Sequence, residues 1–212
     1  MHDTPMFPCS GENGDAMNPT LIVIDVQQEF DDPAWGERNN PGAEGKVAEA
    51  LSAWRERGAP IIHVRHESPP EEGVFLAGTP GVDFKPEASP LPGEPVITKH
   101  VNSAFIGTDL EERLRADGVD AVAIVGLTTD HCVSTTARMA GNLGFETWVL
   151  ADAVATFARK APDGEPISAE TMHRTALASL NDEFAEVIDT DAAIERLKSP
   201  TQTGRPQRGP GS

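Results

Sequence analysis

The sequence is short of positive charge. Seventeen Lys and Arg stand against 34 Asp and Glu, a formal net charge of −17. Phosphate neutralisation needs clustered cations, so a nucleic-acid binder is excluded, and an anionic membrane surface is disfavoured for the same reason. No apolar run reaches the length of a bilayer-spanning helix. The two cysteines, Cys9 and Cys132, are too few for a disulfide framework or a thiolate zinc site. They point to a reducing compartment and a cytoplasmic protein. The opening residues have no basic start and no apolar core, so a signal peptide is not expected. HExxH, CxxC, Walker A, GxGxxG and GxSxG patterns are all missing. Zincin, nucleotide-phosphate and serine-hydrolase chemistries therefore have no sequence support.

What is present fits a single domain. The chain has 212 residues, 38% of them hydrophobic and 24% charged, enough to bury a core without covalent staples. Residues 1–17 hold Asp3, Glu12 and Asp15 and read as a flexible appendage, 18–198 as the folded domain, and 199–212 as a disordered Pro/Gly/Gln-rich tail. Short apolar strands are expected at Thr20–Val26, Pro60–Val64, Pro95–Lys99, Ala121–Gly126, Phe145–Ala151 and Phe184–Ile188. Helices are expected over Ala43–Arg57, from a Thr108/Glu111 capping box to about Gly118, over Asp130–Asn142, from Ser168 to about Leu180, and over Thr190–Lys198. Glu67–Glu94 reads as one long loop, a length often given to lids or binding loops. Such alternation predicts an α/β fold, a three-layer αβα arrangement around a six-stranded, mainly parallel sheet.

Ligands of such sheets bind outside the carboxyl ends of the strands. Three reactive side chains fall on that edge: Asp25 after the first strand, Lys99 at the end of the third, and Cys132 after the fourth. A carboxylate ending a buried aliphatic run is costly unless paired or engaged in acid–base work, though it can also anchor a loop. A partly buried Lys99 could pair with it, although a lone lysine is more often exposed. Cys132 falls where a helix begins, a placement that together with nearby cations favours a thiolate; the alternative is a buried structural cysteine. His131 adjoins Cys132, but neighbouring helical residues do not face each other. His63 and His66, three apart around a strand, fall on opposite faces and make no ready metal pair.

These residues carry a resemblance. LIVIDVQQEF (Leu21–Phe30), VITKHVNSAFIGTDLEERLRADG (Val96–Gly118) and VAIVGLTTDHCVSTTARMAGNLGF (Val122–Phe145) resemble the isochorismatase-like cysteine hydrolases. That family includes nicotinamidases, N-carbamoylsarcosine amidase and ureidoacrylate or biuret hydrolases. The resemblance implies an α/β, Rossmann-like fold with a catalytic triad of Asp25, Lys99 and Cys132. It implies a cis peptide between Leu127 and Thr128, an oxyanion hole made by the N–H groups of Thr128 and Cys132, and a substrate pocket lined by Phe30 and Phe105. A homodimer or higher homo-oligomer is implied, and no cofactor. Nicotinamidases carry an Asp/His metal cluster near the second strand, but HVRHESPPEE lacks the Asp-x-His arrangement, so no metal is expected. True isochorismatases lack the nucleophilic cysteine. Cys132 thus favours hydrolysis of a small amide-type or ureide-type C–N bond through a thioester. A vinyl-ether C–O hydrolase and a catalytically silent scaffold are the two competing readings.

Overall fold

The computed structural model describes residues 19–69 and 73–199. The expected N-terminal appendage, with Cys9, and the tail beyond Ser199 lie outside the described residues.

Six strands form one parallel sheet: β1 (Thr20–Ile24), β2 (Ile61–His66), β3 (Val96–Lys99), β4 (Ala121–Leu127), β5 (Glu146–Ala155) and β8 (Glu186–Ile188), in the order β3-β2-β1-β4-β5-β8. The alternating side-chain directions of a strand divide the core in two. Ile22, Ile24, Val122 and Ile124 pack under α2 (Leu110–Ala116), α3 (Ser134–Asn142) and α4 (Ala169–Leu180). Leu21, Val23, Ala123 and Val125 pack under α1 (Ala43–Arg57) and α5 (Thr190–Lys198). Burial on both faces is why these strands are continuously aliphatic rather than alternating. The three-layer αβα architecture is thus the one the sequence pattern predicts.

Helix α1 has the predicted bounds, and Gly58, at φ 67°, closes it in the left-handed conformation. Elsewhere local chemistry moved the boundaries. The Thr108/Glu111 capping box is not made. The Thr108 hydroxyl donates to the Ala104 carbonyl at 2.5 Å and accepts from the Leu110 N–H at 3.4 Å, and α2 starts at Leu110 with Asp109 as N-cap, whose carboxylate pairs with Arg113 rather than capping the helix. The helix expected from Asp130 begins instead as a π-helical turn, Thr129–Val133, and becomes α-helical only at Ser134. A two-residue hairpin, β6 (Arg159–Lys160) with β7 (Pro166–Ile167), was not anticipated.

Strand β5 runs past its expected end at Ala151. Its pairing with β4 shifts register between Ile124 and Gly126, so Gly126 meets Val154 and Leu127 meets Ala155. The Asn40 side-chain amide donates to the Ala151 and Val154 carbonyls at 3.1 and 2.8 Å, which satisfies the irregular stretch. Gly126 sits at φ 120°, and a Cβ there would lie 1.9 Å from the Ile24 carbonyl oxygen. Only glycine permits β4 to approach β1 this closely at the carboxyl edge. Among the described residues no helix is long and apolar enough to cross a membrane.

Candidate active site

The carboxyl edge brings the three expected side chains together. Chain order alone leaves β1, β3 and β4 far apart, but β1 pairs directly with β4 and β2 bridges β1 to β3. Asp25 follows β1 at φ 50°, a left-handed backbone that Asp tolerates better than most residues. Its N–H is fixed by the Val64 carbonyl at 2.9 Å. Lys99 ends β3, and Cys132 lies inside the π-helical turn after β4. Asp25 and Lys99 are buried, and Cys132 is 8% exposed.

The Lys99 ammonium is the hub. Its Nζ lies 2.6 Å from Asp25 Oδ2. It donates to Cys132 Sγ at 3.3 Å and meets His66 Nδ1 at 3.0 Å. Asn102 Oδ1 lies 3.7 Å from the sulfur. Burial raises the Asp25 carboxyl above the usual range, more than the adjacent Lys99 lowers it. Burial, helped by the Asp25 charge, pushes the Cys132 thiol up to about 12 despite Lys99. This corrects the thiolate expected from helix position: the buried sulfur faces a carboxylate as well as an ammonium, so the resting group is the thiol. Burial and Lys99 hold His66 down to about 4. The ring is therefore neutral, and because Nδ1 accepts from an ammonium, its proton is on Nε2.

The turn carrying Cys132 is anchored on both sides. The N–H groups of His131 and Val133 donate to the Thr128 carbonyl, at 3.1 and 3.2 Å. Thr129 Oγ1 meets His173 Nδ1 at 3.0 Å. Asp130 accepts from the Thr156 hydroxyl and from Arg159 Nε. Thr128 is buried and the Leu127–Thr128 peptide is cis. The His131 side chain is half exposed and faces Asp130 and Arg159 rather than pairing with the thiol.

Phe30 belongs to an aromatic cluster with Trp35, Phe75 and Phe157, at ring-centroid distances of 4.9, 5.1 and 5.9 Å. Phe75 continues the cluster to the His66 ring at 5.3 Å. Phe105 lies elsewhere: its ring stacks on Phe145 at 6.2 Å, against the core that includes Cys132. The long loop supplies Phe75 and is tied down by buried Lys85, whose ammonium reaches Asp31 and Glu44 at 2.6 and 2.8 Å.

Two residues of this edge were given no part in the site by the sequence, His66 having been weighed only as a metal ligand with His63. His66 lies beyond the expected end of the second strand, yet β2 continues through it and pairs it with Lys99. Gln27, fully buried, accepts from the His66 N–H at 2.8 Å and donates to the His66 and Val82 carbonyls, each at 3.0 Å. The signal for Gln27 was its place two residues after Asp25 inside the first motif. His63 and His66 do separate, as expected: His63 is buried against Glu94 at 2.8 Å. Among the described residues, Asp25, His66 and Cys132 form the grouping whose donor atoms, all within 4.8 Å, could surround a metal ion. Lys99 contacts all three, so its ammonium stands where such a cation would sit.

The isochorismatase domain model matches residues 19–192. The chain belongs to the isochorismatase family. The family protein YrdC of Bacillus subtilis is 46% identical over 174 residues, covering 82% of this chain and 93% of YrdC. A solved isochorismatase-family hydrolase structure from Chromobacterium violaceum superposes with a TM-score of 0.83 at 43% identity, covering 92% of this chain and 98% of that one. Nicotinamidase 3 of Arabidopsis thaliana is 31% identical over 184 residues, covering 81% of this chain and 84% of that protein. The chain is thus an isochorismatase-family hydrolase, and its relatives include amidase-type enzymes.

Proposed function

We propose that this hydrolase cleaves the C–N bond of a small amide-type or ureide-type molecule with Cys132 as nucleophile. The observation that carries this reading is the contact of one buried ammonium with both a carboxylate and a thiol. A vinyl-ether hydrolase has no use for a sulfur placed beside a base, whereas acyl transfer through a thioester uses both. The similarity to a nicotinamidase supports the same class of bond.

The steps follow from the electrostatics. The thiol is too weakly acidic to ionise alone, so its proton passes to Asp25 as Sγ attacks the carbonyl carbon. A carboxyl raised by burial is the better base for that transfer. Lys99 stays charged between them and offsets the negative charge wherever it moves. The carbonyl oxygen takes up the electron pair of its π bond and is received by the N–H groups of Thr128 and Cys132, each worth about 3 kcal/mol of barrier. Collapse breaks the C–N bond, and Asp25 returns its proton to the leaving nitrogen. A water molecule, deprotonated by Asp25, then attacks the thioester. The acid leaves and Sγ recovers the proton. Phe30 and Phe105 are assigned to the substrate pocket, and the working unit is a homodimer or larger homo-oligomer.

The test is ammonia and acid release from a panel of small primary amides and ureides by wild-type protein and Cys132→Ala. The expected result is turnover in the wild type and none in a variant of unchanged melting temperature. Wild-type turnover in Cys132→Ala overturns the covalent route.

A further inference from the structure

We propose that His66 is a positioning residue, whose Nδ1 is the fixed acceptor that holds the Lys99 ammonium between Asp25 and Cys132. The inference rests on the base and nucleophile roles assigned above, and begins from the contacts of one ammonium, an ion pair and two hydrogen bonds. An ammonium has three donors. Buried Lys99 faces three partners: Asp25 Oδ2 at 2.6 Å, His66 Nδ1 at 3.0 Å and Cys132 Sγ at 3.3 Å. Two of these change during turnover. Asp25 gains and loses a proton, and Cys132 is acylated and freed. The imidazole alone offers the same lone pair throughout.

His66 is itself held for this task. Parallel register places it beside Lys99 on the neighbouring strand. The Gln27 side chain grips its backbone at both polar groups, at 2.8 and 3.0 Å. Phe75 packs against the ring at 5.3 Å. Burial and the Lys99 charge keep the ring neutral, so the acceptor stays open across the neutral range. Without it the ammonium would retain only partners whose charge and substitution alter at every step.

The experiment uses the full chain and needs no substrate. Iodoacetamide alkylation of Cys132 is followed by peptide mass spectrometry in wild type, His66→Leu and His66→Asn, with a melting temperature for each. An asparagine oxygen falls close to the place of Nδ1, so it restores the acceptor without the ring. His66→Leu is expected to slow alkylation about tenfold, the scale of one hydrogen bond to a charged group, and His66→Asn to regain most of that loss. Equal rates in His66→Leu and wild type overturn the proposal, as does His66→Asn remaining as slow as His66→Leu at equal melting temperature. Should His66→Leu fail to fold, nitrogen-15 NMR of wild-type His66 decides: a bare Nδ1 with protonated Nε2 supports the proposal, and a protonated Nδ1 overturns it. Asp25→Asn is run in parallel. If it alkylates as fast as wild type, the base role of Asp25 fails, an outcome separate from any result at His66.

Discussion

Asp25 and Lys99 form an ion pair at 2.6 Å with both side chains essentially excluded from solvent. They come from the ends of strands that do not touch, since β2 lies between β1 and β3. Removing either partner strands the other charge in the core, while removing both leaves only a packing change.

Lys99→Met should therefore cost about 3 to 5 kcal/mol of stability. The loss should grow as pH rises, because the lone Asp25 can escape its penalty only by keeping a proton. The double variant Asp25→Leu/Lys99→Met should recover most of the loss. Urea denaturation of the single and double variants reads this directly. A double variant as unstable as Lys99→Met alone would show that packing, not charge, dominates.

Acid should destabilise the fold in two stages. Burial holds His63, His66 and His173 below the usual value of 6.5, His66 as low as about 4. A depressed histidine binds fewer protons folded than unfolded, so stability falls as pH drops from 6.5 towards 4. Hydrogen bonds from Arg55 hold Glu94 down to about 2, and those from Arg38 and Lys85 outweigh burial to do the same for Glu44. Their contribution is complete above the unfolded value of 4.5 and is lost as pH falls towards 2. The raised Asp25 carboxyl opposes this trend, because it takes up its proton more readily folded than unfolded. Urea midpoints of Asp25→Asn at pH 7, 5.5, 4 and 3 should therefore decline throughout; a flat profile between 7 and 4 in that variant would contradict the neutral-histidine assignment.

Gly126→Ala should be among the most damaging small substitutions in the molecule. The backbone angle and the 1.9 Å approach to the Ile24 carbonyl both oppose a methyl group. The expected loss is on the order of 3 kcal/mol or more, with strand separation beside Asp25. Thermal denaturation checks the first effect, and a change in Cys132 alkylation rate the second. A melting temperature within a degree or two of wild type would refute it.

The architecture was legible because burial on both faces imprints continuous aliphatic runs on parallel strands. Convergence of Asp25, Lys99 and Cys132 followed from the carboxyl-edge rule alone. What stayed hidden depends on partners distant in sequence. His66 extends β2 because Gln27 bonds its backbone, and no pattern within HVRH announces that. β5 outlasts its apolar run because Asn40 satisfies the carbonyls at the register shift. Thr108 looked like the cap of a box with Glu111, but its hydroxyl donates back to the Ala104 carbonyl and its oxygen accepts from the Leu110 N–H, one residue short of Glu111. The state of the Cys132 thiol was misread for a similar reason: a helix start is visible in sequence, whereas enclosure beside a carboxylate is not.

Strand order has a consequence for the chain during synthesis. Asp25 emerges first, Lys99 much later, and Cys132 later still, and β4 must slot in next to β1 before sulfur and carboxylate can meet. Pairings of such long sequence separation form slowly. A nascent or truncated copy thus holds Cys132 as an ordinary cysteine, away from Asp25 and Lys99. The three side chains meet only when the centre of the sheet is complete, so the burial of the Cys132 sulfur reports finished folding.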